Sequence, residues 1–436
     1  METLDKLFKL RERGVTVKGE FVAGATTFLS MAYILAVNPS ILGQIGDGMT
    51  PEAVFTATAV AAIVATLWMA FFANLPLALA PGMGLNAFFT FTVVMGMGMP
   101  WRVALTAVFL EGVLFMILSF FNVREALVQA IPQNLKKAVA VGIGMFIALI
   151  GFRNAGFSAH SVGTIITVGN MTAPGAVTAF IGLIVIFVLF SYKIPGSVLI
   201  GIMVATIAGI PLGVTVLPET FVAFSLPAAP LFLEFDFSQV LTLKFFTVFF
   251  TFFFVDVFNT VGTLVATTTQ AGLANEKTGD FPGLKQALMA DAVGTVAGAA
   301  LGTSTVTTYS ESTAGIAAGG RTGLTALFIA GMFVLGLFFS PLFLLVPGAA
   351  TAPALILVGF LMMRGAVTKI DFSDPTEGIP CFLTIAFMPF THSVAEGIFY
   401  GLLSYCVLKI LTKKHKEITT VMWVIFAFFI LRIVLM

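Results

Sequence analysis

Charge is scarce in this chain. Only 10% of its 436 residues are Asp, Glu, Lys or Arg, against roughly 25% in an average soluble domain. So few charges cannot solvate a globule of this size, which excludes an ordinary soluble protein and turns much of the surface toward lipid. The net charge of +1 excludes a large basic face, so nucleic acid is not an expected partner. Three histidines and two cysteines, Cys381 and Cys406 in apolar runs, offer no His/Cys metal constellation and make a disulfide unexpected. No metal and no cofactor is expected. The amphipathic segment 1–18 lacks a signal peptide's short apolar core and cleavage site, so the first apolar run is expected to remain as a membrane helix.

What is abundant is apolar side chain, at 58% of residues. A membrane span needs about 20 mostly apolar residues, and such runs recur at 20–41, 54–73, 75–98, 101–121, 135–157, 172–191 and 194–217. A second series follows at 243–268, 284–301, 303–320, 322–346, 350–368, 378–391 and 393–411. A last run, 418–435, is either a fifteenth span or an interfacial segment, and 378–411 is alternatively one broken span. Lys6, Lys9, Arg11, Arg13 and Lys18 precede span 1; Arg124, Lys136, Lys137, Lys193, Lys277, Lys285, Arg321, Arg364, Lys369, Lys413, Lys414 and Lys416 follow even-numbered spans. Arg153 is the main exception. Basic loops stay cytoplasmic, so about fourteen spans with a cytoplasmic N-terminus form a self-consistent multi-pass arrangement in a cell membrane. The expected fold class is all-α polytopic. Two series of seven imply a duplication with inverted halves. Pro132 followed by Gly144 in span 5 matches Pro347 followed by Gly359 in span 12.

Three segments break the apolar pattern. Leu79 to Phe89 holds Pro81, Gly82, Gly84 and Asn86, which disfavours a continuous helix and favours an extended piece feeding a half-helix near Gly84. Backbone groups freed at membrane depth need partners in protein, water or ligand, and Asn86 adds a donor and an acceptor. A kink packed by small residues is the alternative. Leu301 to Gly315 is dominated by Ser and Thr around Glu311; its run Thr303 to Tyr309 is β-prone, and a half-helix can start at Glu311. Lipid cannot face that surface cheaply. In span 8, Asn259, Thr260 and Thr263 share a helix face with Asp256 among phenylalanines, as the wall of a polar cavity would. A carboxyl that alternates between charged and neutral is what a proton carrier needs. Glu111, Asp291, His392 and Glu396 are weaker candidates, and Phe28, Phe88 or Phe258 could stack on a flat ligand.

These segments resemble the nucleobase–cation symporter family of uracil and xanthine permeases, and most closely its azaguanine-type branch of adenine and guanine/hypoxanthine permeases. The likeness lies in Ala80-Pro81-Gly82-Met83-Gly84-Leu85-Asn86-Ala87, in Val255 to Leu264, and in Ser310-Glu311-Ser312-Thr313-Ala314-Gly315 with Gly319 to Gly323. Gly24 to Tyr33 and Val37-Asn38-Pro39 extend it into span 1. The resemblance implies short β-strands in spans 3 and 10, a core domain (20–121 and 243–347) and a gate domain (122–242 and 348–436), with 1–19 as a cytoplasmic segment. It implies a purine substrate held by Asn86, Asp256 and Glu311, with Gly84, Ser310 and Ser312 beside them in the same motifs. Coupling to a proton, or to sodium, would fall to Asp256 and Glu311. Asn259 stands where that branch carries a second Asp, and an amide cannot carry a proton. Relatives imply a homodimer. A uracil- or xanthine-type permease, a uniporter of the same fold and an anion carrier are the alternatives; the last expects a cation at the site, and spans 3, 8 and 10 have Lys or Arg only near their ends, at Lys244 and Arg321. An intramembrane enzyme is not expected, since spans 1–12 contain no histidine and span 10 only one Glu.

Overall fold

The computed structural model describes residues 2–120, 132–161, 165–218, 222–273, 281–420, 422, 423, 426, 427 and 430. Arg124, Lys277 and most of the run 418–435 lie outside the described residues, as does the side chain of Phe258. The described chain is mostly helical. Six of its helices are long and apolar enough to cross a membrane.

Helix boundaries follow from caps and breakers. A short helix α1 (Glu2–Phe8) precedes α2 (Val17–Met31), whose N-cap Thr16 accepts from the Gly19 N–H. The first apolar run is broken at Ala32–Tyr33 and resumes as α3 (Ile34–Leu42). Thr50 caps α4 (Pro51–Trp68), with Pro51 in the first turn where its missing N–H is no loss. Beyond it, the window 75–98 is not one helix. It contains β1 (Leu79–Pro81), α5 (Met83–Ala87) and a π-helical stretch, Phe88–Gly96. Next come α6 (Trp101–Phe120) and α7 (Gln133–Asn154).

Between α7 and α8 (Pro174–Ser191) sits an antiparallel pair, β2 (Ser158–Ser161) and β3 (Ile165–Val168), which the hydropathy windows did not anticipate. Its β-branched run Ile165-Ile166-Thr167-Val168 is too short to register as a span. The window 194–217 is helical only over α9 (Ser197–Gly209). Then follow α10 (Leu243–Gln270), capped by Thr242, and α11 (Leu284–Leu301), which stops at Gly302 with φ 93°.

Window 303–320 holds β4 (Val306–Thr308) and α12 (Ser312–Ala317). Window 322–346 is α13 (Gly323–Leu337), a break at Phe338–Phe339 and α14 (Ser340–Leu344). Next come α15 (Gly348–Ala366), α16 (Pro375–Thr391) and α17 (Val394–Leu411). His392, at φ 52°, turns the chain between α16 and α17, which pack on one another, so 378–411 is a helical hairpin.

The helices pack in two groups. In one, α2, α4, α6, α10, α11 and α13 pack together, and α3, α4, α10 and α11 contact the β1–β4 pair. In the other, α7 packs on α15 and α16, and α8 packs on α9 and α15. Gly144 and Gly359, matched by rank in the sequence, meet where α7 crosses α15: a Cβ on Gly144 would stand 2.6 Å from the Gly359 carbonyl oxygen. Small residues let helix backbones approach where lipid supplies no hydrophobic drive between them.

Candidate functional site

Two interrupted segments meet at the centre of the first group. Strand β1 pairs antiparallel with β4, Leu79 opposite Thr308, Ala80 opposite Thr307 and Pro81 opposite Val306. The Gly82 N–H continues the pairing to Thr305 O at 2.9 Å, and the Tyr309 N–H to Ala78 O at 2.9 Å. Backbone groups released by the broken helices thus satisfy each other, as burial at membrane depth demands. Gly82 is required here, since a Cβ would lie 2.6 Å from Thr307 Cγ2. Side chains lock the crossing: Tyr309 Oη donates to Pro81 O (2.6 Å), and Thr66 Oγ1 accepts from the Leu79 N–H (3.1 Å). Each strand then feeds a short helix, β1 into α5 and β4 into α12.

Residues 304–311 gather the candidate residues. Ser304 donates to the Asn86 Oδ1, and both side chains are fully buried. The Asn86 Nδ2 has no partner among the described residues, which leaves a buried donor available. Thr305 donates to Glu111 Oε2 at 3.2 Å. Thr307 lies on the same strand face as Thr305, two residues on, and accepts from Asn259 Nδ2 at 3.1 Å. Thr307 and Thr260 hydroxyls are 2.9 Å apart, and Thr260 donates to Asp291 Oδ1 at 2.7 Å. A hydroxyl has one proton, so these contacts form a directed chain, Asn259 to Thr307 to Thr260 to Asp291. Asp256 Oδ1 adjoins it, 3.3 Å from Thr260 Oγ1. At the end of the stretch, Glu311 accepts from Tyr33 Oη and from Ser310 Oγ at 3.1 Å.

The predicted residues therefore fall into separate sets along the segment 304–311, one at Thr307 on β4 and one at Glu311 after it. Asp256 and Asn259 belong with Thr260, Thr307 and Asp291 and are held from α10 and α11. Glu311 belongs with Tyr33 and the exposed Ser310. Two further predicted residues have structural contacts. Ser312 is buried and its hydroxyl accepts from the Ala78 N–H at 3.0 Å. Gly84 packs against α7, where a Cβ would stand 3.0 Å from Ile143 Cγ2. Of the aromatics proposed for stacking, Phe28 meets Phe333 edge to face at 5.2 Å, and Phe88 meets Phe252 at 4.9 Å. His392 offers its backbone carbonyl to Thr92 Oγ1 at 2.8 Å.

Three contributors were undervalued by sequence reasoning. Tyr33 sits in an apolar run and carried no signal except its place in the span 1 motif. Thr307 is one threonine among many. Asp291 is fully buried in the middle of α11, where an acid in an Ala/Gly-rich helix was the available clue.

Residues 18–399 match the xanthine/uracil permease model, described as a permease family. The chain belongs to this family. Its relatives include adenine permease AdeP of Escherichia coli strain K12, 42% identical over 99% of this chain and 96% of the relative. Guanine/hypoxanthine permease PbuO of Bacillus subtilis strain 168 is also 42% identical, over 94% of this chain and 96% of its own. They place the permease in the azaguanine-type branch, among transporters and not enzymes. In fold, it is similar to the transmembrane domain of the cyanobacterial bicarbonate transporter BicA, with a TM-score of 0.65 over 88% of this chain and 97% of that one. At 16% identity that likeness concerns the fold. The permease is a multi-pass membrane protein.

Proposed function

We propose that this permease carries purine nucleobases across the membrane by proton symport. The observation that carries the reading is the β1–β4 pairing of the two interrupted segments: Asn86 bonds Ser304 just before β4, Asp256 adjoins the Thr260–Thr307 contact on β4, and Glu311 starts the half-helix after it. A purine edge presents both donors and acceptors. Glu311 and Asp256 accept from ring N–H groups when ionised and donate when protonated; the buried Asn86 amide supplies a further donor. The purine-carrying activity named for the 42% identical relatives supports the same substrate class.

In this proposal the chain spans the membrane fourteen times as two inverted sets of seven, with its N-terminus cytoplasmic. The core, 20–121 and 243–347, moves against the gate, 122–242 and 348–436. Protonation of Asp256 or Glu311 licenses binding and movement; Asn259 takes no proton and instead aims the hydroxyl chain through Thr307. Assembly as a homodimer belongs to the same proposal. Sodium is the alternative coupling ion.

The test is uptake of radiolabelled adenine, guanine, hypoxanthine, xanthine and uracil into proteoliposomes, as a function of pH and with a protonophore. Purine uptake that falls with alkalinisation and collapses with the protonophore is expected. Glu311→Gln should abolish uptake while the protein still folds. Uptake indifferent to both pH and protonophore removes proton coupling, and no purine uptake at all removes the substrate class.

A further inference from the structure

We propose that the permease has a second, outer binding site for an uncharged, flat heterocycle, in a cavity between α3 and α15. The inference rests on the reading of the protein as a nucleobase permease. The cavity holds about 430 Å³, within the ~300–1,000 Å³ range of small-molecule sites. Ser40, Gln44, Asn154, Phe343 and Thr351 line it, and no Asp, Glu, Lys or Arg does. Asn86, Asp256 and Glu311 do not line it either, so it is separate from the crossing.

Its place in the membrane follows from α7. That helix of 22 residues carries Lys136 and Lys137 near its start and ends at Asn154, about 26 Å further along the axis at 1.5 Å per residue. Arg153 stands alone beside Asn154 against the two lysines at the start; the more basic end marks the cytoplasmic face, so the cavity opens at the outer one. The cavity also connects to the crossing through one helix. Tyr33, which holds Glu311, precedes α3, and Ser40 lies seven residues further on, roughly 10 Å along the axis.

The lining is built to exchange hydrogen bonds. Ser40 Oγ lies 2.8 Å from Val37 O and 3.2 Å from Thr351 Oγ1, while Thr351 Oγ1 lies 2.9 Å from Gly348 O. With both hydroxyl protons given to backbone carbonyls, the Ser40–Thr351 contact lacks a proton, and both oxygens keep lone pairs for a ligand's N–H. The Gln44 amide gives one N–H to Ser40 O at 2.8 Å and keeps a second N–H and its oxygen, the Asn154 amide presents a donor and an acceptor, and Phe343 presents an apolar face. A neutral base with mixed donors and acceptors suits this lining. An anion does not, because nothing in it carries positive charge.

Both native cysteines are buried, so an introduced thiol reports on the cavity. In proteoliposomes oriented by sidedness, Asn154→Cys is labelled with a membrane-impermeant thiol reagent, in the wild-type background and with Glu311→Gln. Ser40→Cys serves as a second reporter should Asn154→Cys not fold. Millimolar adenine or hypoxanthine is expected to slow labelling several-fold in both backgrounds, with sulfate having no effect. Protection seen only when Glu311 is intact, or seen with neither base, overturns the outer site. Equal protection by sulfate overturns its selectivity for neutral ligands. Uptake of base by the wild type, measured alongside, keeps failure of this site distinct from failure of the transport reading.

Discussion

Tyr33, at the break between α2 and α3, donates its hydroxyl to the carboxylate of Glu311, 278 residues away at the start of α12. Tyr33 itself is fully buried, whereas Glu311 is partly exposed. One helix break thereby aims the acid of another. A hydrogen bond to a charged group is worth about 1.5–3 kcal/mol. Tyr33→Phe keeps the ring and removes the donor, so uptake should fall at least about tenfold in kcat/KM, by roughly 1.4 kcal/mol per decade. Unchanged kinetics in proteoliposomes would separate Tyr33 from the transport cycle.

The hydroxyl chain from Asn259 to Asp291 passes through Thr307. Thr307→Val preserves shape but leaves the part-buried Asn259 amide without its acceptor, at about 1 kcal/mol. A lower Tm in detergent is expected, with Thr307→Ser restoring most of it. Equal Tm for the valine and serine variants would count against the chain.

At the α7–α15 crossing, a Cβ on Gly359 would sit 2.4 Å from the Gly144 carbonyl oxygen and 2.8 Å from Ala148 Cβ. Backbone cannot yield there as a flexible side chain does, so Gly359→Ala should destabilise by about 1–3 kcal/mol. Gly365→Ala, on the same helix with open space around it, is the control and should leave thermal unfolding in detergent unchanged.

Near the end of α17, Lys409 is 1% exposed and bridges Glu377 at 2.9 Å and Glu417 at 2.5 Å. Removing one partner of a fully buried pair costs about 3–5 kcal/mol. Glu417 is half exposed and can turn to water, so Lys409→Met should cost less, about 1–3 kcal/mol. Glu417→Gln should shift Tm far less than Lys409→Met; the reverse order would move the hub to the surface pair.

Much of the candidate site is legible along the chain. Asp256 and Glu311 stand out because an acid in an apolar run is costly unless partnered, and Asn86 because Pro81 and Gly82 break the helix before it. The partners are not legible. Tyr33 and Thr307 look like any Tyr or Thr in a membrane helix, and Ser312, flagged beside Glu311, turns out to hold the Ala78 N–H. Helix lengths were misjudged where hydropathy continues past the helix, as at Gly209 and at Phe338.

Composition and local pattern by themselves determined that this chain lives in a bilayer, and where its helices cannot run unbroken. Both are one-residue or one-turn properties: transfer to lipid adds residue by residue, and Pro or Gly acts on its own backbone. Tertiary structure alone decided that the two breaks pair as strands, that Gly144 faces Gly359, and that Tyr33 points at Glu311. Those are contacts across hundreds of residues, selected by the packing of whole helices and the need of freed backbone for partners.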